Sequence, residues 1–393
     1  MEILNDVAPM KQERLYYLDW LRVFAILMVF VFHNTHLFDF IDWSVKNKSE
    51  SPVMMLVFLL IHFWSMPFFF LLAGAGTRFA LESRSKREYL LERVKRLIVP
   101  LIIGILLLAP PQGYVESLGK LNFHGSYLNY YPQFFIKLFD NFNLSSLGYN
   151  LYHLWFLGFL FVFSFMALPL FMWLKGERAK RFISKLAGFC DKKCVIFLFA
   201  IPVLLSHLAL RVTFPNYMDV ADFFYWFIYF LYGYILFSNE KFRQAINNHE
   251  KTAFVIAASC ILVMVILLLL GCSVNWLEYP NYSFLSIFFM VIYSLLTWSW
   301  VVFLLSFGSK SFNFSNKFLK YSSEAVLPFY LLHQTFILVI GYYVVQWDMD
   351  IIYKFLIIFS ISLLMTVGTY DLFVRRVNLF RVLFGMKRIK KYV

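Results

Sequence analysis

The sequence predicts an all-α protein, a polytopic transmembrane helical bundle of about ten spans with both termini in the cytoplasm. Three observations predict it. Hydrophobic residues make up 61% of the 393-residue chain and charged residues only 15%, where soluble domains are roughly 45–50% apolar. The apolar residues lie in long runs of the length a bilayer core requires. The basic residues gather on alternate connections between those runs.

The runs fall at approximately 18–38, 53–77, 97–110, 150–174, 194–210, 221–238, 252–271, 284–306, 325–346 and 351–374. The third is short and is expected to end at Pro110-Pro111, with its basic first turn at the interface if it begins earlier. With the N-terminus inside, 29 of the 36 Lys and Arg lie on inner segments, and only Lys46, Lys48, Lys120, Lys137 and Arg211 lie on outer loops. That asymmetry orients the bundle and requires an even number of spans. Residues of about 1–15, with Lys11 and Arg14, form a cytoplasmic N-terminal segment. Residues of about 375–393 form a basic cytoplasmic tail carrying Arg375, Arg376, Arg381, Lys387, Arg388, Lys390 and Lys391. The first run is not a cleaved signal peptide, because Asp19 and Arg22 interrupt it and no small-x-small site follows. With no soluble domain, linker or internal repeat, residues 1–393 read as a single membrane domain.

The formal net charge of +13 would suggest nucleic acid in a soluble protein. Here the excess sits in short loops and the tail, so the partner is a lipid bilayer and not nucleic acid. Cys190, Cys194, Cys260 and Cys272 read as free thiols: no second Cys/His pair stands at zinc spacing, so no metal site is expected.

The first span carries the most chemistry. Arg22 and His33 are eleven positions apart, about three full turns, so they share a helix face at depths about 16 Å apart. Ionisable groups within a span are functional candidates by default. Arg22 alone would read as a snorkelling anchor, and Asp19, three positions before it, can pair with it. His33 is too deep to snorkel. His36 lies nearer the outer end and reads as interfacial.

Arg93 and Arg96, before the third span, become neighbours if the segment is helical. They form a fork suited to phosphate; from this segment alone an ordinary positive-inside cluster is the better reading. In the second span Pro67 is expected to kink the helix and the small residues at 73–76 to permit close contact, packing features rather than chemistry. His62, His153 and His333 each read, taken singly, as structural. His153 opens the fourth span in His153-Leu154-Trp155-Phe156-Leu157. The outer connection 111–149 contains Tyr114, Tyr127, Tyr130 and Tyr131 and reads either as an interfacial aromatic cap or as part of an acceptor site.

On these residues the chain resembles the acyltransferase family 3 of integral membrane proteins. The resemblance rests on Leu18-Asp19-Trp20-Leu21-Arg22 followed by His33, which gives an Arg-x10-His spacing. It continues through Phe68-Phe69-Phe70 to Gly74, Arg93-x-x-Arg96 with Pro100, His153 to Leu157, and Tyr330-Leu331-Leu332-His333. It covers essentially the whole chain and is closest to the branch that includes the glucan-succinylating membrane protein. The resemblance implies an enzyme of the inner (cytoplasmic) membrane that transfers an acyl group from cytoplasmic acyl-CoA to a hydroxyl of a glycan or other cell-surface acceptor. Acetyl is the commonest group in the family and succinyl is next. Acyl-CoA would be a co-substrate, with no permanently bound cofactor. Arg22, Arg93 and Arg96 would then hold its phosphates, with Asp19 in support. His33 would act as general base or become acylated itself. His153, Trp155 and His333 would orient the acceptor or stabilise the oxyanion. A membrane transporter or exporter of a polysaccharide or lipid-linked substrate is the competing class, since intramembrane His and Arg suit it too.

Overall fold

The computed structural model describes residues 14–140, 149–270 and 280–389. Lys11, Cys272, Lys390 and Lys391 lie outside the described residues, as does most of the N-terminal segment. Every regular element among the described residues is helical. In chain order they are α1 (Tyr16–Thr35), α2 (Pro52–Ser83), α3 (Lys86–Arg93), a π turn (Val94–Ile98), α4 (Val99–Leu107), α5 (Ala109–Lys120) and α6 (Tyr127–Asp140). After a short 3-10 turn (Tyr152–Leu154) come α7 (Trp155–Met166), α8 (Leu168–Leu174) and α9 (Glu177–Cys190). A second 3-10 turn (Val195–Phe199) leads into α10 (Ala200–Leu210), α11 (Val220–Leu236), α12 (Glu240–Asn248) and α13 (Glu250–Leu269). The chain ends with α14 (Phe284–Ser311), α15 (Lys317–Val344), α16 (Ile351–Thr369), a π turn (Tyr370–Val374) and α17 (Asn378–Leu383).

Seven helices among the described residues are long and apolar enough to cross a membrane. Two bent pairs also qualify when joined, Tyr152–Met166 with Leu168–Leu174 (47°) and Val220–Leu236 with Glu240–Asn248 (109°), and Val195–Leu210 is a shorter apolar helix. Among the described residues, every apolar run in the sequence therefore falls on helix. Several helices overrun their apolar stretch, because polar turns can continue the backbone ladder into water once a cap holds the first N–H groups. α15 starts at Lys317 rather than near 325, where Asn316 Oδ1 accepts from Leu319 N at 2.7 Å.

The expected end of the third span at Pro110-Pro111 is corrected. Lys86–Lys120 runs on as one helical rod with an apolar middle, and the two prolines fall in the first turn of α5, where no intrahelical N–H is needed. Pro110 leaves Leu106 O without its helical donor, and Leu108 O, at the step between α4 and α5, takes side-chain donors. The Tyr131 hydroxyl donates to Leu106 O at 3.1 Å. Leu108 O accepts from Gln112 Nε2 at 2.9 Å and from Thr335 Oγ1 at 3.0 Å.

α1 packs between α2 and α15, and α2 packs closely on α11. Gly74 and Gly233 make the second contact possible: a Cβ at Gly74 would collide with Phe230 O, and one at Gly233 with Leu71 O. α2 continues through Pro67 as a single helix. Cys190 and Cys260 are buried, Cys194 is exposed, and all three are free.

Candidate functional site

The start of α1, the C-terminal half of α2, the end of α3 with the π turn that follows it, and the tail enclose a cavity of about 660 Å³. Its wall carries the cations Arg14, Arg22, Arg84, Arg93, Arg96 and Lys387 against the carboxylates of Asp19 and Glu92. Asp19 accepts from Arg14 Nη2 at 2.7 Å and from Arg22 Nη1 at 3.2 Å, which fixes the Arg22 guanidinium at the wall. Arg22 Nη2 also points to Leu72 O at 3.4 Å. A Cβ at Gly76 would stand 2.9 Å from Arg22 Nη2. Gly76 is thus a correction to the sequence reading of 73–76 as packing alone, because its missing side chain makes room for that guanidinium.

The π turn lies just beyond Arg93 and contains Arg96; such wide turns recur at functional sites because they re-aim side chains. Arg93 Nη2 donates to Thr77 Oγ1 at 3.2 Å while its guanidinium lies 4.8 Å over the Tyr89 ring. Arg84 and Arg96 share Glu92, at 3.0 and 3.4 Å. With six cations to two carboxylates, the wall keeps a surplus of donors for an anionic ligand.

Nothing in the sequence marks Lys387 as a wall residue, because the tail carries only a positive-inside signal. Buried Arg381 holds the tail in place: Nε donates to Lys387 O at 2.6 Å, Nη1 to Arg375 O at 3.0 Å and Nη2 to Glu324 Oε1 at 2.5 Å. Gly385, at φ +73°, turns the chain beside the π turn, where a Cβ would sit 3.0 Å from Arg96 O.

The cavity ends at Arg22 on α1 and does not take in His33, about 16 Å further along the helix. His33 meets two other histidines that are remote in sequence. The His33 and His333 rings are 5.2 Å apart, and so are those of His333 and His153. His333 Nδ1 lies 2.7 Å from Tyr330 O and 3.2 Å from Phe329 O. His153 Nε2 lies 3.1 Å from Leu331 O. A carbonyl only accepts, so each of these nitrogens carries the proton in the neutral ring. Among the described residues the opposite nitrogens, His333 Nε2 and His153 Nδ1, are buried lone pairs without a partner, and His33 Nδ1 is likewise buried and unpaired. In their neutral forms His153 and His333 therefore offer acceptors to a hydroxyl, and serving an oxyanion would require protonation. The Tyr330 hydroxyl donates to His153 O and ties α15 to the turn before α7.

Trp155 turns into an aromatic cluster, stacked on Trp226 at 4.6 Å with Phe70 at 6.3 Å and Phe159 at 5.2 Å. His62 sits among Phe32, Phe58 and Phe63. His36, expected near the outer interface, is enclosed by the protein at the end of α1. His36 is only 8% exposed and its Nδ1 lies 2.7 Å from Oδ2 of Asp39, a fully buried carboxylate. Asp39 also accepts from Ile41 N at 2.9 Å and Lys46 Nζ at 2.8 Å. Trp43 stacks on both His36 (4.6 Å) and His33 (5.6 Å). The His36-x-x-Asp39 spacing was visible in the sequence, but Asp39 lies beyond the apolar run and gave no sign of burial.

A family model described as "Acyltransferase domain" matches residues 15–374, a range that includes Arg22, His33, Arg93, Arg96, His153 and His333 but not Lys387. Among curated proteins the chain is similar to glucans biosynthesis protein C of Escherichia coli strain SMS-3-5 / SECEC, 23% identical over 347 residues, covering 86% of this chain and 85% of that protein. Glucans biosynthesis protein C of E. coli strain K12 / DH10B is 24% identical over 348 residues, with 86% and 85% covered. The same-named protein of Shigella dysenteriae serotype 1 (strain Sd197) is 23% identical over 351 residues, with the same coverage. No solved structure matches the chain.

Proposed function

The chain belongs to the acyltransferase family whose model spans residues 15–374, and from that premise we propose that it moves an acetyl or succinyl group from acyl-CoA to a glycan hydroxyl. The enzyme sits in the inner (cytoplasmic) membrane as a single domain of ten spans, with the cation-lined cavity and both termini on the cytoplasmic side. The observation that carries this reading is the arrangement on α1. One end of the helix stands in a cavity with an excess of guanidinium groups, and a histidine cluster lies about three turns further on.

In this reading Arg22, Arg93, Arg96 and Lys387 hold the phosphates of coenzyme A through charge-assisted hydrogen bonds. The pantetheine arm follows α1 toward His33, parting α1 from α2 beyond Gly76. Neutral His33 takes the proton of the acceptor hydroxyl as its oxygen attacks the thioester carbonyl. The C–S bond then breaks, and the leaving thiolate recovers that proton from the imidazolium. In the covalent alternative the acyl group passes first to His33 and the acceptor attacks afterwards; a burst of thiol release ahead of product would identify it. The relatives' printed name points to a glucan as the acceptor.

The test is release of free coenzyme A thiol by the purified protein, given acetyl-CoA or succinyl-CoA with and without a glucose oligosaccharide. Acceptor-dependent thiol release with a matching mass gain on the sugar supports the proposal. Its absence with both donors overturns it. An exporter is the second reading, and the two bent helix pairs favour it, because broken helices frame the substrate sites of many transporters. Sugar movement across vesicles without thiol release would select it.

A further inference from the structure

A second cavity, of about 220 Å³, lies at the other end of the Lys86–Lys120 rod. Arg96 and Glu116 are separated by about 30 Å along the helix, close to the thickness of a bilayer's hydrocarbon core. α1 runs in the same direction: its start shares the arginine cavity with α3. At the far ends Lys120 Nζ pairs with Asp42 at 2.6 Å, on the loop whose Trp43 stacks on His33.

The small cavity is built from Gly113, Glu116 and Lys120 of α5, Tyr130 and Lys137 of α6, and Tyr152. The Tyr152 hydroxyl donates to Glu116 Oε2 at 2.8 Å. A Cβ at Gly113 would collide with the Tyr130 hydroxyl and stand 3.0 Å from that of Tyr152, so the glycine leaves space where the two phenols converge. Burial, reinforced by Glu116, pushes the Tyr130 phenol up to about 12, which keeps it a neutral O–H donor. Tyr152 holds φ at +52°, a left-handed conformation costly for an aromatic residue. Its side chain lines the small cavity, while the next residue, His153, meets His333 and through it His33.

We propose that this cavity is the acceptor subsite, binding one neutral sugar ring of the glycan beside the histidine cluster. The inference rests on the acyltransferase reading and names the acceptor's place within it. A carboxylate and two phenols match the dense hydroxyls of a sugar, and the tyrosine rings offer faces to its C–H side. The volume is below the roughly 300–1,000 Å³ typical of pockets for larger ligands, which suits a single ring. Of the two lysines in the wall, Lys120 is paired with Asp42 and Lys137 lies over the Tyr130 ring at 6.0 Å, so Glu116 offsets the remaining cation and the cavity carries no surplus of positive charge for phosphate. Donor and acceptor thus enter from opposite ends of one rod.

The experiment uses the full-length protein in detergent, a radiolabelled glucose oligosaccharide for equilibrium binding, and thiol release for turnover. E116Q and G113A should each weaken sugar binding about tenfold or more, the scale of one lost charged hydrogen bond. Both should raise the acceptor KM and leave the KM for acyl-CoA unchanged. G113A fills the cavity without altering charge, so it decides the matter if E116Q elutes as aggregate. No sugar binding by the wild type, equal binding by all three proteins, or retention of inorganic phosphate in place of sugar overturns the subsite. Sugar binding lost in the variants, with no thiol release even by the wild type, upholds the subsite and counts against the acyltransferase reading alone.

Discussion

His33 of α1 and His333 of α15 stand with their rings 5.2 Å apart, although they come from opposite ends of the chain. His333 commits its Nδ1 proton to the Tyr330 and Phe329 carbonyls and leaves Nε2 unpaired. The free nitrogen that neutral His333 keeps beside His33 is therefore a lone pair and not a second proton donor.

The two rings should respond differently to removal. His33→Ala is expected to abolish transfer with no change in elution or in acyl-CoA binding; retained activity would rule His33 out as the reacting group. His333→Ala should lower kcat by about 10²-fold or more, the scale of a lost acid–base partner, with the donor KM unchanged. A rise in donor KM alone would move His333 out of the reaction centre.

Donor affinity should depend on cations from two distant segments. Arg93→Ala, Arg96→Ala and Lys387→Ala are each expected to raise the KM for acyl-CoA by about tenfold, with kcat nearly constant. The effect should shrink in high salt, because these groups face an open mouth. Arg381→Ala should reproduce the Lys387 effect by releasing the tail, since Arg381 holds Lys387 O, Arg375 O and Glu324 together. If Lys387→Ala has the wild-type KM, the tail is not part of the donor site.

Two glycines two positions apart should give opposite phenotypes. Gly74→Val drives a side chain into the Phe230 carbonyl and should prevent stable folding, read as aggregation on size exclusion. Gly76→Val meets only the tip of the Arg22 side chain. It should leave a folded protein with weakened acyl-CoA binding. Equal thermal stability of both variants and the wild type would contradict the helix contact.

Asp39 should behave as a structural anchor for the loop behind His33. Asp39→Ala leaves Lys46 and His36 without their shared carboxylate and is expected to cost about 3 kcal/mol, as breaking a buried ion pair does. Asp39→Asn should recover part of that through its remaining hydrogen bonds. Thermal unfolding in detergent measures both. A loss below ~1 kcal/mol for Asp39→Ala would show that the network contributes little.

Local information was enough for the helices and for part of the site. Hydrophobic run length located every long helix, because a bilayer demands about the same apolar length each time, and the Asp19–Arg22 pair followed from helical spacing. Where the sequence reading failed, the deciding partner came from elsewhere in the chain. Tyr131 and Thr335 satisfy carbonyls near the Pro110-Pro111 step and let the rod continue. Arg22 needs Gly76 opposite it, and Lys387 is held at the cavity by Arg381, itself paired with Glu324.

The sequence by itself determined an all-helical, membrane-type chain with Arg22 and His33 on one helix, since composition and periodicity act within a single segment. Only the tertiary structure decided that His33, His153 and His333 form one cluster, that the tail lines the arginine cavity, and that a second cavity closes the far end of the rod. Those are contacts between segments, and their geometry is set by helix packing, which no local pattern encodes.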